Sequence, residues 1–470
     1  MGRPASRLEQ DRRRETSAAG RPARPAEERR RRIARLLAIC LVLAAAGACE
    51  GGRGRSASQT TAAPGSAAPA TAGTAGQELP EGYLTDTIEL IRRQAYYAGR
   101  VDWPTVRAEA RRRAGAAPTR TGVYDAIRWV LSRLGDHHSF LLTPEQASEL
   151  ASGGGQGFGL TALFPERVVV DVEPDGAAAR AGVRVGDLVE SVDGRPVQGD
   201  EVVTLPPPTT GGRPARVRLA LRRGHGDRAR RLEIVVQAAP APAVRPPTAR
   251  RLSSTVGLLE LFSVARPAGP DAIRYVQTAH DAIRRVATRR TCGWVVDLRR
   301  NTGGSLPPML TAVGPTLGDG RAVGFRSRGG AMTWYGYRDG AVSVDDRQGS
   351  PAVSRPVRPP RPRPPVAVLT SRLTASAGEG VAVAFRGRPA VRSFGEPTAG
   401  VPTGNAQYRL PDGAELYLTG GIGVDRTGRT YETRIRPDQP VATDWTRYST
   451  RADPVLEAAT AWLGARCVGR

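Results

Sequence analysis

From Val123 to Leu134 the apolar residues Val123, Ile127, Val130, Leu131 and Leu134 return every three or four positions, which predicts a helix with one buried face. Gly135 follows where a glycine commonly ends a helix. After a glycine-rich break over Gly153 to Gly159 the texture changes to short apolar runs. Val168-Val169-Val170 is one, and Leu188 to Val192 is another, closed by the turn pair Asp193-Gly194. From Val256 onward strands and helices alternate. A strand over 256–262 precedes a helix near 270–288, on which Ala272, Val276, Ala279, Ile283 and Val286 keep a 4-3-4-3 spacing. Trp294 to Leu298 reads as the next strand, and Asn301-Thr302-Gly303-Gly304 turns the chain into another helix. A Pro-rich basic stretch near 350–365 predicts an extended, exposed excursion. Beyond it come strand Val366 to Thr370, a turn at Ser376, a helical run from Glu379 to Phe385, and a strand over 390–394. Such alternation predicts an α/β layer with parallel pairing.

Ahead of these elements, residues 50–77 are Gly, Ser, Thr, Ala and Pro with almost no large apolar side chain, the composition of a flexible tether. Residues 1–49 have the pattern of an export leader. A basic block, Arg29 to Arg32, is followed by the apolar run Ile33 to Ala48, interrupted by Arg35, and then by Ala46-Gly47-Ala48-Cys49. Cys49 after small residues resembles the lipobox of bacterial lipoproteins, which implies a membrane tether through a lipidated Cys49. Of the four cysteines, Cys40 and Cys49 fall in this leader, leaving Cys292 and Cys467 in the body, either paired or free. The chain is strongly basic, with a net charge of +24. Residues 1–55 hold 14 Arg against 6 acids, a net of +8, so +16 remains on the other 415 residues. No zinc-finger spacing or basic-aromatic stripe accompanies that charge, so nucleic acid is not an expected partner. The Cys and His spacing suggests no metal site and no cofactor.

Lysine is absent: all 69 basic side chains are arginine. Arginine stays charged at physiological pH and cannot serve as a general base, and a P-loop nucleotide site, which needs lysine, is excluded. Ser376 stands where a buried strand gives way to a helix, and such a serine is commonly a simple N-cap. It can also be a nucleophile, with the N–H of Ala377 as an oxyanion donor, provided that a base is at hand. The chain holds four histidines. His225 lies in a Gly/Arg-rich turn, His280 falls near the apolar side of its helix, and His137 and His138 follow Gly135.

Four motifs occur in the order found in the C-terminal-processing (tail-specific) serine peptidases. Residues 155–237 resemble a PDZ domain, with Gly157-Phe158-Gly159-Leu160 in the place of its carboxylate-binding loop. Asp297-Leu298-Arg299-Arg300-Asn301-Thr302-Gly303-Gly304, Thr374-Ala375-Ser376-Ala377-Gly378-Glu379 and Ser393 to Gly400 follow. The resemblance covers roughly residues 78–455. Val401 stands where the lysine-using members carry their base, so the chain is similar to the tricorn-like, histidine-using branch. The resemblance implies Ser376 as nucleophile and His138, in preference to His137, as base. Glu432, upstream of Pro437-Asp438, would orient the imidazole, with Asp136 and Asp425 as alternatives. Gly303, or its neighbour Gly304, and Ala377 would form the oxyanion hole, and Gly157 to Leu160 the peptide-binding loop. Arg434 departs from the small residue usual there.

The expected fold is a multidomain α+β protein. It comprises a leader (1–49), a linker (50–77), an N-terminal helical subdomain (78–150), a PDZ-like β domain (155–240), an α/β peptidase core of ββα layers that is crotonase-like (250–455), and a C-terminal tail helix (456–470). The expected function is an exported serine endopeptidase, cell-envelope-bound or secreted, acting on protein or peptide substrates captured by their C-termini. The alternative is a non-catalytic peptide- or ligand-binding protein on the same scaffold.

Overall fold

The computed structural model describes residues 79–467 apart from 117–118, 153–155, 164, 198–204, 206–208, 211–212, 225, 227–228, 241–244 and 362. The leader, the Cys49 anchor, the linker and His225 lie outside the described residues.

Helices α1 (Tyr83–Gln94), α2 (Trp103–Ala114) and α3 (Arg120–Leu134) open the described chain. The Thr119 hydroxyl caps α3 by accepting the Gly122 N–H at 3.1 Å, and Gly135 ends it with φ 71°. The apolar stripe anticipated on α3 is buried, but its partners come partly from far along the chain. Ile88, Ile91, Ile127 and Val130 share one cluster with Leu410, Leu416 and Leu418. Strand β1 (Phe140–Leu142) follows directly.

The next unit is a small antiparallel sheet. Its strands are β2 (Leu160–Leu163), β3 (Val168–Val172), β4 (Leu188–Val192), β5 (Arg216–Arg223) and β6 (Arg230–Gln237), with a short helix α4 (Ala177–Arg180) between β3 and β4. The order across the sheet is β6-β5-β4-β3-β2, so among the described residues the outer side of β2 is a free edge. Its core gathers Phe158, Val169, Val189, Leu219 and Val236.

The rest of the chain builds a layered α/β body. It runs through β7 (Thr248–Arg251), β8 (Val256–Glu260), α5 (Pro270–Val286), β9 (Gly293–Asp297) and α6 (Leu306–Leu317). A meander follows: β10 (Gly320–Ser327), β11 (Met332–Arg338), β12 (Ala341–Val344) and β13 (Arg347–Ala352). Then come β14 (Val366–Thr370), α7 (Ala377–Phe385), β15 (Val391–Gly395), β16 (Thr403–Arg409), β17 (Glu415–Asp425), β18 (Gln439–Pro440) and α8 (Pro454–Cys467). Strands β8, β9, β14, β15 and β18 pair in parallel, with β7 antiparallel at one edge. Because side chains alternate across a strand, this sheet buries both faces. Trp294 and Val296 of β9, with Val366 and Val368 of β14, pack against α5, α6 and α7, while Val295, Ala367 and Leu369 pack against α8. On the far side of α5–α7 lies an antiparallel sheet in the order β1-β17-β10-β11-β12-β13, with β16 on the other side of β17.

One expectation changes, and one open alternative is resolved. The 350–365 stretch is not wholly an exposed excursion: Val353 and Val357 are buried, and the Val357 N–H donates to His280 Nδ1 at 3.2 Å. His280 is a satisfied interior residue, its Nε2 meeting the Thr311 carbonyl at 2.9 Å. Cys292 and Cys467, left open as pair or free thiols, form a disulfide that ties the end of α8 to the residue before β9, across a separation of 175 residues. Closing so long a loop restricts the unfolded chain, an effect of about 2–4 kcal/mol. Replacing both cysteines by alanine should therefore lower the thermal midpoint by several degrees, as read by scanning calorimetry under non-reducing conditions.

Candidate active site

Ser376 occupies the turn between β14 and α7 with φ 51° and ψ −118°, a conformation that non-glycine residues rarely adopt. The turn is held there by bonds to the loop after β9. Ser371 Oγ donates to the Arg299 carbonyl (2.6 Å), Thr374 Oγ1 to that of Leu298 (2.8 Å), and the Ala375 N–H to that of Asn301 (3.1 Å). Helix α7 starts at Ala377, whose N–H is among those a helix leaves unpaired at its N-terminus.

The His138 ring reaches this serine from the opposite sheet. His138 lies between the end of α3 and β1, and its backbone is pinned from both sides. Asp136 Oδ1 accepts the His138 and Ser139 N–H groups, each at 3.1 Å, and Asn405 Nδ2 donates to the His138 carbonyl at 2.9 Å. The ring is 2% exposed. Its Nε2 stands 3.0 Å from Ser376 Oγ and its Nδ1 2.6 Å from Thr403 Oγ1. With Nδ1 protonated and donating to Thr403, Nε2 is free to accept the serine proton. Burial pushes the imidazole pKa down to about 4, opposed by the nearby Asp136 carboxylate. The ring is thus neutral, and a base, at ordinary pH. His137, by contrast, is exposed and sits at φ 54°.

Glu432 is not brought to the imidazole. It stands 3.6 Å from the Arg100 guanidinium and accepts from Tyr97 at 3.4 Å, with two-fifths of its side chain exposed. The physical reason is local: Thr403, at the start of β16, fills the position beside Nδ1. Asp425, one alternative, is taken up by Thr427, Arg429 and Tyr431. Asp136 hydrogen-bonds the backbone of His138, not its ring, on which it acts only as a nearby charge.

Gly303 lies against Ser376. A Cβ there would come within 2.7 Å of Ser376 Cβ and 3.0 Å of the Ala375 carbonyl, and φ is 110°, so only glycine fits. Its N–H donates to Asn301 Oδ1 at 3.0 Å, an engagement that the expected oxyanion role did not foresee. Gly304 packs its Cα against the Val264 carbonyl, where a Cβ would stand 2.3 Å away. Of the proposed peptide loop, Phe158 is buried in the PDZ-like core, its carbonyl accepting the Ala178 N–H. Gly159 turns at φ 69° with its carbonyl on the Glu173 N–H, and Leu160 begins the free-edge strand β2. The two units meet beside the site: Arg300, next to Asn301, pairs with Asp171 of β3 at 2.6 Å.

Among the described residues no group of acidic, His and Cys side chains could hold a metal ion. The sequence profile of peptidase family S41 matches residues 256–441, and that of a PDZ domain matches residues 168–205. Residues 256–441 thus belong to peptidase family S41. This region contains Ser376, Gly303 and Thr403, whereas His138 lies outside it. The carboxyl-terminal-processing peptidase 2 of Arabidopsis thaliana chloroplasts is 26% identical over 344 residues, 69% of this chain and 61% of that protein. The nisin-resistance protein of Lactococcus lactis is 31% identical over 147 residues, 31% of this chain and 45% of that protein. The chain thus spans less than two thirds of the length of either relative. A lipoprotein from Streptococcus agalactiae has the same fold, with a TM-score of 0.51 at 18% identity, over 84% of this chain and all of that one.

If Thr403 fixes the imidazole, Thr403→Val should slow fluorophosphonate labelling of Ser376 by about 10²-fold, the scale of a small misplacement in an active site. Thr403→Ser should keep most of the rate, and Glu432→Gln should leave it unchanged.

Proposed function

We propose that this S41 protein is an exported serine endopeptidase of the histidine-using kind, working with Ser376 and His138 and a threonine in place of an orienting carboxylate. The observation that carries the reading is the 3.0 Å approach of His138 Nε2 to Ser376 Oγ, between residues 238 positions apart, in a buried site at a helix N-terminus. Ser376 Oγ attacks the peptide carbonyl while His138 Nε2 takes its proton. The tetrahedral oxyanion forms next to the Ala377 N–H. The Gly303 N–H would serve as second donor by exchanging Asn301 Oδ1 for the substrate oxygen. Collapse expels the amine, which takes the proton from His138. Water, activated by the same ring, then hydrolyses the acyl-serine ester and regenerates the hydroxyl.

A neutral partner on Nδ1 sets the ring's orientation and tautomer without adding charge to stabilise the imidazolium, and burial keeps the ring neutral. The ring is thereby available as a base throughout the neutral range. Export to the cell envelope or beyond is supported by the leader pattern of residues 29–49 and by the Cys292–Cys467 disulfide, a bond favoured in oxidising compartments. Substrates are proteins or peptides. The free edge of β2, next to Gly157–Leu160, suits addition of an extended peptide as a further strand, which would recruit a substrate tail.

The test is turnover of an unfolded protein such as casein together with fluorophosphonate labelling. Wild type should show both. Ser376→Ala should abolish labelling, and Ser376→Ala and His138→Ala should each cut turnover by at least about 10³-fold. A folded wild type that neither labels nor cleaves would instead point to a binding protein on this scaffold.

A further inference from the structure

Glu379, three residues after the nucleophile, is fully buried, and both of its carboxylate oxygens are occupied. Oε2 accepts the Ser376 N–H at 3.0 Å and the Val401 N–H at 2.9 Å. Oε1 accepts the Gly400 N–H at 2.9 Å and the Thr398 hydroxyl at 2.5 Å. Thr398 Oγ1 itself accepts the Ile435 N–H, so its one proton is directed at Glu379. Four donors converge on two oxygens, a set that matches an ionised carboxylate, which only accepts. A proton on either oxygen would face an N–H or O–H and break that set.

The donors belong to two segments with different tasks. Ser376 is the nucleophile, held in its strained turn. Gly400 and Val401 lead through Pro402 into Thr403, whose N–H is bonded back to the Val401 carbonyl at 2.8 Å and whose hydroxyl meets His138 Nδ1. One carboxylate therefore joins the serine to the residue that aims its base.

We propose, building on the peptidase reading, that Glu379 is a positioning residue whose ionised form holds the Ser376 turn and the Thr403 strand in register, so that Ser376 reactivity follows the protonation of Glu379. Burial without an adjacent cation pushes this carboxyl up to about 7, against the four hydrogen bonds, which favour the ionised form. The charged groups around it are few. Helices α6 and α7 carry none besides Glu379 itself, and neither does β14. Strand β10 bears Arg321, paired with Asp346, and Arg326. Strand β17 bears Glu415 and the engaged Asp425. Arg434 donates to the Thr398 carbonyl at 3.3 Å, and His138 lies beyond Ser376 with its own titration far lower.

The signs of the two consequences are opposite. The folded carboxyl titrates above its unfolded value of 4.5, so the folded state keeps a proton that the unfolded chain releases. Its stability contribution is full below that value and is lost as pH rises through about 7, whereas reactivity appears over the upper part of the same range.

The experiment is the rate of Ser376 labelling by a fluorophosphonate between pH 5 and 9, on the full chain. Wild type should rise through pH about 7. Glu379→Gln should label at least about ten-fold more slowly at pH 8 and lose that limb. Thr398→Val, which removes a donor to the ionised form, should move the limb to higher pH, and Thr398→Ser should leave it in place. The carboxyl 13C resonance of Glu379 in Ser376→Ala protein gives a reading independent of turnover and of the Gln variant's folding. A midpoint in the ordinary carboxylate range, or a limb that persists in Glu379→Gln, overturns the proposal. Wild type that labels at no pH sinks the peptidase reading and the positioning role of Glu379 with it. Labelling with a limb indifferent to Glu379 sinks the positioning role alone.

Discussion

Phe140, Leu141 and Leu142 lie antiparallel to Tyr417, Leu416 and Glu415, and that short ladder carries His138 across to a serine fixed on the other sheet. The pairing is reinforced on both sides. Leu416 and Leu418 are buried in the core of the N-terminal helices, and Phe140 stacks on Tyr417 with ring centroids 4.6 Å apart. The same strand β17 pairs on its other side with β16, which brings Thr403 to the imidazole and Asn405 to the His138 carbonyl. His138 and Thr403 are thus both placed by pairing to one strand.

Around this geometry the charges are arranged at a distance. The His138 ring nitrogens meet two hydroxyls, those of Ser376 and Thr403. A buried ion-pair cluster lies one layer back: Arg299, fully buried, bonds Asp297 and Asp453, and its guanidinium lies over the Tyr448 ring. Such a cluster is costly to desolvate and is worth keeping for the placement it enforces. Here it anchors the loop whose carbonyls hold Ser371, Thr374 and Ala375. Asp453 precedes α8, so the last helix is tied to the turn that carries the nucleophile.

Much of this was legible in the chain. The alternating strands and helices after Val256 have clear periods because each face of the parallel sheet is buried by helices. The Ser376 turn and His138 were readable because lysine is absent and few histidines compete. The orienting group was not. Thr403 has no local signature, since its role depends on a strand register set 265 residues away from His138. The Glu379 contact was within reach, because a serine followed three residues later by glutamate marks a helix start, but its bonds to Gly400 and Val401 are purely tertiary. The β10–β13 meander went unread because its strands are half polar and closed by turns such as Asp339-Gly340 and Asp345-Asp346, whose four residues all take positive φ.

The Cys292–Cys467 bond encloses β9, the Ser376 turn, Thr403 and the Pro-rich stretch between β13 and β14 within one covalent ring. The Arg- and Pro-rich stretch inside that ring has exposed residues such as Arg355 and Arg358, where a protease could cut. Any single scission inside the ring leaves both pieces joined, so that the severed polypeptide stays one molecule with β9, β14, β15 and β18 still covalently linked.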